Sequence, residues 1–179
     1  MGLSKEGGGA LEEDIKLALK GHVKEGYKFN PASELQKGNE FYQENPKPSD
    51  RVHVLVCIIP ADNLDLISEE VVRKIRSIRE EASRQHIAQI AVLTKIDRVC
   101  PKLQEDIKNV YILPEIKQKI EKFSAAVGIP MTNIFPVKNY HQEIDLDDDI
   151  DSLILSAMKH IINCGDNYIN FHHNRFESS

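Results

Sequence analysis

The amino-acid sequence predicts an α/β fold in which three parallel β-strands are flanked by helices. Three short runs rich in β-branched residues alternate with segments in which apolar residues recur every three or four positions. Alternating strands and helices are typical of a parallel sheet whose connections are helical crossovers. The strands are expected at Val52–Ile59, His86–Leu93 and Asn133–Val137.

The segment before the first strand is predicted to contain one helix and one long loop. Ala10–Lys20 places apolar residues on one side, and Gly21 follows as a helix stop. Residues 22–51 are polar and contain three prolines. A segment of this length without regular structure is unusual in a compact domain, so it is predicted to be a long loop, an insertion or a mobile arm.

The remaining elements follow from the same two periodicities. The run VHVLVCII at Val52–Ile59 lies between prolines, which favours a buried strand. Apolar residues three and four positions apart predict helices at Leu64–Ala82, Pro114–Val127 and Ile150–Ile162. Pro114 suits a first helical turn, Gly128 suits a helix end, and Asp147 is expected to cap the last helix. Residues 170–179 are expected to form a polar tail.

The length, net charge and cysteine content of the chain argue against some classes of function. The chain has 179 residues, enough for one domain with a core, and its net charge of −5 argues against nucleic-acid binding. The longest apolar run, Val54–Ile59, is too short to cross a membrane. Three cysteines without metal-like spacing suit reduced thiols in a cytoplasmic protein. Cys57 is expected in the core and Cys100 as an exposed thiol.

Candidate site residues lie where the predicted strands end, which is where parallel sheets bind ligands. Thr94-Lys95-Ile96-Asp97 fits the pattern [N/T]-K-x-D after a buried strand. The Asp97 carboxylate can accept hydrogen bonds from the ring N–H and the exocyclic amine of guanine, a donor pair that adenine lacks. The stem of Lys95 can lie along the ring. The alternative is that Asp97 begins a turn and Lys95 is solvated.

A second strand end carries Pro136-Val137-Lys138. Small GTP-binding proteins place a loop in this slot whose backbone N–H groups contact the guanine oxygen. Pro136 has no N–H, so such a contact is expected from Val137 or Lys138. Asp62 falls at the end of the first strand.

Longer blocks of the sequence resemble the interferon-induced protein 44 family. They are Met1-Gly2-Leu3, VLTKID at Val92–Asp97 followed by Cys100-Pro101, GIPMTNIFPVKNY at Gly128–Tyr140, and LDDDIDSLILSAMKHIINCGDNY at Leu146–Tyr168. The resemblance implies a cytoplasmic protein with a Ras-like nucleotide-binding fold that is induced in antiviral immune responses. It implies guanine contacts at Thr94, Lys95 and Asp97.

A phosphate-binding loop is absent from these 179 residues. Gly2 and Gly7 have the spacing of G-x-x-x-x-G-K-[ST], but Gly8 and Gly9 follow in place of Lys and Ser or Thr. The resemblance therefore implies a partial Ras-like P-loop GTPase fold. Residues 1–169 are expected to be its carboxyl-terminal part, and the first strands, the phosphate loop and the magnesium aspartate are expected to be missing.

The functional expectation is a truncated GTPase-like protein that binds guanine nucleotide weakly at most and is not an enzyme. No cofactor is expected, and GTP, GDP and Mg²⁺ are expected only in a longer form. The alternative is a non-enzymatic cytosolic protein-interaction module without nucleotide. Neither nucleic acid nor membrane is expected as a partner. Self-association is expected through Val52–Ile59, which would become an exposed edge strand.

Overall fold

The computed structural model describes residues 2–3 and 9–177, without the side chains of residues 105 and 173–177. It is a mixed α/β structure with a three-stranded parallel sheet and flanking helices, as predicted. The strands are β1 (Val54–Pro60), β2 (Ala88–Thr94) and β3 (Ile134–Pro136), in the order β1-β2-β3. Each lies within two residues of its predicted bounds.

Five α-helices accompany the strands in the described part of the chain. They are α1 (Glu12–Leu19), α2 (Glu69–Arg84), α3 (Lys102–Glu105), α4 (Pro114–Val127) and α5 (Asp148–Glu177). Short 3₁₀ segments occur at Pro48–Asp50, Ala61–Leu66, Ile96–Arg98, Ile107–Tyr111 and Met131–Asn133. Pro114 opens α4, and Gly128 ends it in the left-handed conformation at φ 79°. Both signals act as the sequence predicted, because proline needs no N–H there and glycine has no Cβ to clash.

The chain divides into two compact units. The first contains the described residues up to Leu55 together with Ser68–Ala88, and the second contains Val56–Ile67 and the described residues from Gln89 onward. In the first unit α1 packs against α2. The ammonium of Lys20 lies 3.1 Å from the Glu81 carboxylate, an ion pair that joins the two helices.

Within the first unit, residues 22–51 form a loop with one 3₁₀ turn and one isolated bridge, from Val23 to Tyr42. Asp14 of α1 is fully buried and holds this loop. Its carboxylate accepts hydrogen bonds from the N–H of Leu35 at 2.7 Å and the hydroxyl of Tyr27 at 2.8 Å. Because buried carboxylates are stable only when hydrogen bonded, these contacts attach the loop to α1.

The second unit has an apolar core around β2 and β3. Its fully buried side chains include Ile90, Leu93, Ile96, Leu103, Ile116 and Ile129. Both α4 and α5 pack against β3. At the start of α5, the Asp147 carboxylate accepts the N–H groups of Asp149 and Ile150 at 2.9 and 3.0 Å, so the expected cap is present.

Three local expectations are corrected by the structure. The helix expected at Leu64–Ala82 begins only at Glu69, because Ala61–Leu66 is a 3₁₀ segment and Ser68 caps the helix. The expected polar tail from residue 170 is helical as far as Glu177, while Ser178 and Ser179 lie outside the described residues. A formed helix gains one hydrogen bond for each further residue, so the polar segment extends it. The expected exposed thiol, Cys100, is buried. It lies between the 3₁₀ segment Ile96–Arg98 and α3, and its carbonyl accepts the N–H of Leu103 at 3.0 Å.

Candidate functional site

The carboxyl ends of β2 and β3 lie side by side. The two strands pair in parallel with Leu93 opposite Pro136. The pairing continues one residue beyond β3, where the N–H of Val137 donates to the carbonyl of Leu93 at 2.8 Å. The loops that carry Thr94–Asp97 and Val137-Lys138 therefore leave the sheet from adjacent positions, as the sequence predicted.

The loop after β2 is a tight turn with an unusual backbone. Lys95 adopts the left-handed conformation at φ 56° and ψ 38°, which is uncommon for a residue with a long side chain. Ile96 is fully buried beneath the turn, and the N–H of Arg98 donates to the carbonyl of Lys95 at 3.1 Å. The amide of Gln104 donates to the carbonyl of Asp97 at 3.3 Å. These contacts fix the backbone, so the side chains of Lys95 and Asp97 are presented from a defined position.

Asp97 and Lys95 keep their charged groups available. Asp97 is half-buried and Lys95 is exposed, and within the described residues neither side chain makes a hydrogen bond or an ion pair. The Asp97 backbone does lie in a turn, which was the alternative interpretation. Its carboxylate does not cap that turn, however, so it remains able to accept donors from a ligand.

Val137 cannot donate its backbone N–H to a ligand in this arrangement. That N–H is bound to Leu93, and the Val137 side chain is buried in the core. Pro136 has no N–H, so the backbone of Lys138 is the remaining donor of the three-residue slot. The sequence predicted two possible N–H donors to the guanine oxygen, Val137 and Lys138. The pairing of β2 with β3 uses the N–H of Val137, so only the N–H of Lys138 remains.

The ammonium of Lys138 is bound within its own loop. It lies 2.6 Å from the carboxylate of Glu143, which also accepts the N–H groups of His141 at 2.6 Å and Gln142 at 3.0 Å. The His141 N–H, and after it Lys138, lower the pKa of Glu143 to about 2. Glu143 was not among the predicted site residues, because only the turn in this loop brings its side chain back to Lys138.

Arg98 and Asp62 are a second pair at this end of the sheet. A guanidinium nitrogen of Arg98 lies 3.8 Å from the Asp62 carboxylate, whose other oxygen is buried and has no hydrogen-bond partner among the described residues. Sequence reasoning placed Asp62 at a strand end but missed Arg98. Arg98 directly follows Asp97 in the sequence, which was a signal that it lies near the site. That position did not show that Arg98 would pair with Asp62, which follows a different strand.

The part of the chain that the structure describes offers neither a cluster of metal ligands nor a membrane-spanning helix. In that part of the chain, no three side chains of the His, Cys, Asp or Glu types come together as metal ligands. None of its helices has the length and apolar character needed to span a membrane.

Comparison with known proteins identifies a consistent set of relatives. No protein-family model matches the chain, and no solved structure matches it. "Interferon-induced protein 44" of Mus musculus is 32% identical over 157 residues, which is 88% of this chain and 37% of that protein. The protein of the same name from Pan troglodytes is 28% identical over 169 residues, 94% of this chain and 38% of that protein.

A differently named human protein belongs to the same set. "Interferon-induced protein 44-like" of Homo sapiens is 28% identical over 170 residues, which is 94% of this chain and 38% of that protein. The chain thus spans less than two fifths of the length of these curated relatives. The resemblance drawn from the sequence blocks is confirmed: along nearly all of its own length, the chain is homologous to part of the interferon-induced protein 44 and 44-like proteins.

Proposed function

We propose that this chain is the carboxyl-terminal part of a GTPase-like domain in a cytoplasmic, interferon-induced protein of the immune response. We also propose that it contacts a guanine base weakly. The observation that carries this proposal is the Asp97 carboxylate, which has no hydrogen-bond or ion-pair partner among the described residues. It lies in the turn after β2, beside the loop that follows β3. Homology to proteins named interferon-induced protein 44 supports the interferon-induced, immune-response part of this proposal.

Each proposed contact has a separate physical basis. The Asp97 carboxylate accepts both donors of the guanine edge, and adenine would leave it unpaired. The exposed stem of Lys95 covers one face of the ring. Thr94 is the last residue of β2, from which the loop to Asp97 leaves. The N–H of Lys138 meets the guanine oxygen in the place of Val137.

Base contacts alone give weak binding. A ligand gains roughly 0.3–0.5 kcal/mol per heavy atom in such a site, which for guanine corresponds to a dissociation constant on the order of millimolar. The 179 residues contain no G-x-x-x-x-G-K-[ST] sequence to hold phosphates. GTP or GDP with Mg²⁺ therefore belongs to a longer form of the protein in this proposal.

A nucleotide titration followed by two-dimensional NMR tests the proposal. With millimolar GDP, we expect amide shifts confined to Thr94–Asp97 and Lys138, and we expect none with ADP. Asp97→Asn should lose the response to GDP and gain one to xanthosine diphosphate, because the amide can donate to the xanthine carbonyl. Asp145→Asn, at an exposed residue before α5, is the matched control and should behave as wild type. No shifts, or equal shifts with ADP, would contradict guanine recognition.

A second candidate function is a protein-interaction module that needs no nucleotide. The observation that favours it is β1, which lies at an edge of the described sheet and contains Ile58 with 67% of its surface exposed. No lysine within Val54–Pro60 blocks pairing with another strand. We expect Ile58→Lys to reduce self-association seen by light scattering, whereas an unchanged size distribution would argue against this edge.

A further inference from the structure

Helix α5 carries an exposed apolar stripe. Leu155, Met158, Ile162 and Ile169 are 61%, 52%, 57% and 46% exposed, respectively. Large apolar side chains scattered singly on a surface need no explanation, but these four share one face of the helix.

This stripe is separate from the face that packs on the protein. Among residues 148–172 of α5, the buried side chains are Ile150, Ala157 and Tyr168, and the helix packs against β3 and the Ile107–Tyr111 turn. With 3.6 residues per turn, the centres of the two faces lie about 120° apart around the helix axis. The core therefore leaves the second stripe uncovered within the described residues.

The spacing of the stripe is that of a coiled coil. Leu155, Ile162 and Ile169 are seven residues apart, and Met158 and Gly165 each follow by three. These are the a and d positions of a heptad repeat, whose 3.5-residue period keeps one seam facing a partner helix.

We propose that the stripe of α5 pairs with the same stripe on a second copy of this chain, with the two helices antiparallel. The argument for a second copy is charge complementarity along the flank of the stripe. Lys159 and Asp166 are both exposed on the same flank, at successive e positions, and neither forms an ion pair within the described residues. In an antiparallel pair the e positions of the two helices adjoin, so Lys159 of each copy faces Asp166 of the other.

The apolar residues fit the same register. When Lys159 adjoins Asp166 of the second copy, Met158 lies opposite Ile169, and Ile162 lies opposite Gly165. The missing side chain of Gly165 leaves room for Ile162 beside the twofold axis. A parallel pair would instead place Lys159 beside Ile154 and Asp166 beside Ile161, which occupy the g positions. The charges therefore select the antiparallel arrangement, which is closed and twofold symmetric.

The stripe is short, so the dimer should be reversible. From Leu155 to Ile169 it spans about 21 Å of helix. Stable interfaces bury about 800 Å² on each partner, and two heptads supply less than that. We expect a monomer–dimer equilibrium with a dissociation constant on the order of 10–100 μM, measured by sedimentation velocity over a range of protein concentrations.

The first test removes the apolar contact. Ile162→Asp should keep the chain monomeric at every concentration at which the wild type dimerises. Ile144→Asp makes the same change at a fully exposed isoleucine outside α5 and should leave the equilibrium unchanged. If Ile162→Asp dimerises like the wild type, or if the wild type stays monomeric up to about 1 mM, the proposal is wrong.

The second test exchanges the charges and distinguishes this interface from pairing through β1. Lys159→Glu and Asp166→Lys should each raise the dissociation constant roughly three- to tenfold, because each places like charges together at two symmetric positions. The double variant should return it to the wild-type value. Association through another surface, or with another protein segment, would give no such recovery and would overturn the proposal. The thermal midpoint of the monomer should be unchanged in all three variants.

Discussion

At the residue scale, the side chain of Lys138 forms an ion pair with a residue of its own loop. Its ammonium meets Glu143 at 2.6 Å, so its side chain is held away from the role of a free cation. Lys95, one strand away, has no such partner within the described residues. Of the two lysines at neighbouring strand ends, only Lys95 therefore has an ammonium group that is not already paired and can contact a ligand. The residues adjacent to each lysine in the sequence do not predict this difference.

The pKa of Glu143 provides a direct test of this loop. The N–H of His141, followed by Lys138, lowers the pKa from 4.5 to about 2. A lowered folded-state pKa stabilises the fold above the unfolded value, so this contribution is present above about pH 4.5 and is lost as the pH falls toward 2. Carboxyl NMR should show Glu143 titrating near pH 2, and Lys138→Met should raise the pKa of Glu143. A titration near 4.5 in the wild type would show that these contacts do not form in solution.

At the scale of one element, α5 combines a capped start with two apolar faces. The Asp147 carboxylate binds the N–H groups of Asp149 and Ile150, which would otherwise lack intrahelical partners. Tyr140 supports the same turn, because its hydroxyl accepts the N–H of Asp147 at 2.8 Å and lies 2.8 Å from the Asp151 carboxylate. The start of the helix is therefore fixed by side chains as well as by burial of Ile150.

Removal of the cap should weaken the fold by a measurable amount. We expect Asp147→Ala to lower the free energy of unfolding by about 1 kcal/mol, and Asp147→Asn to retain most of the stability. Urea denaturation followed by circular dichroism gives the comparison. Asp145→Ala, two residues earlier at an exposed position, should change the free energy by less than about 0.5 kcal/mol. Equal effects at both positions would show that the cap seen here is not energetically important.

At the scale of the whole molecule, we predict that the purified chain does not hydrolyse GTP above the buffer rate in the presence of Mg²⁺. Phosphoryl transfer requires a phosphate cradle and a positioned metal ion, and these 179 residues contain no sequence of the G-x-x-x-x-G-K-[ST] type. Phosphate release should be the same for wild type and Asp97→Ala. Turnover that follows the protein through purification and disappears in Asp97→Ala would refute this prediction.

The sequence by itself determined the elements of the fold and their order. Strands β1, β2 and β3 follow from β-branched runs, and helices α1, α2, α4 and α5 follow from apolar spacing, because both periodicities express which face of a local segment is buried. The four-residue helix α3 was not predicted. The sequence also predicted the ends of two helices, namely Pro114 at the start and Gly128 at the end of α4, and the Asp147 cap of α5. Each of these signals depends on the backbone chemistry of only a few adjacent residues. The sequence blocks also identified the relatives.

Only the tertiary structure decided which groups remain available at the strand ends. Strand pairing uses the N–H of Val137, a chain reversal brings Glu143 to Lys138, and Cys100 is buried. Local sequence patterns do not encode these outcomes. The tertiary structure also decided which face of α5 is buried. The sequence of this helix contains two apolar stripes and does not show which of them packs against the core. The core takes the stripe of Ile150, Ala157 and Tyr168 and leaves the heptad stripe exposed, because a helix packed on one side can bury only one face.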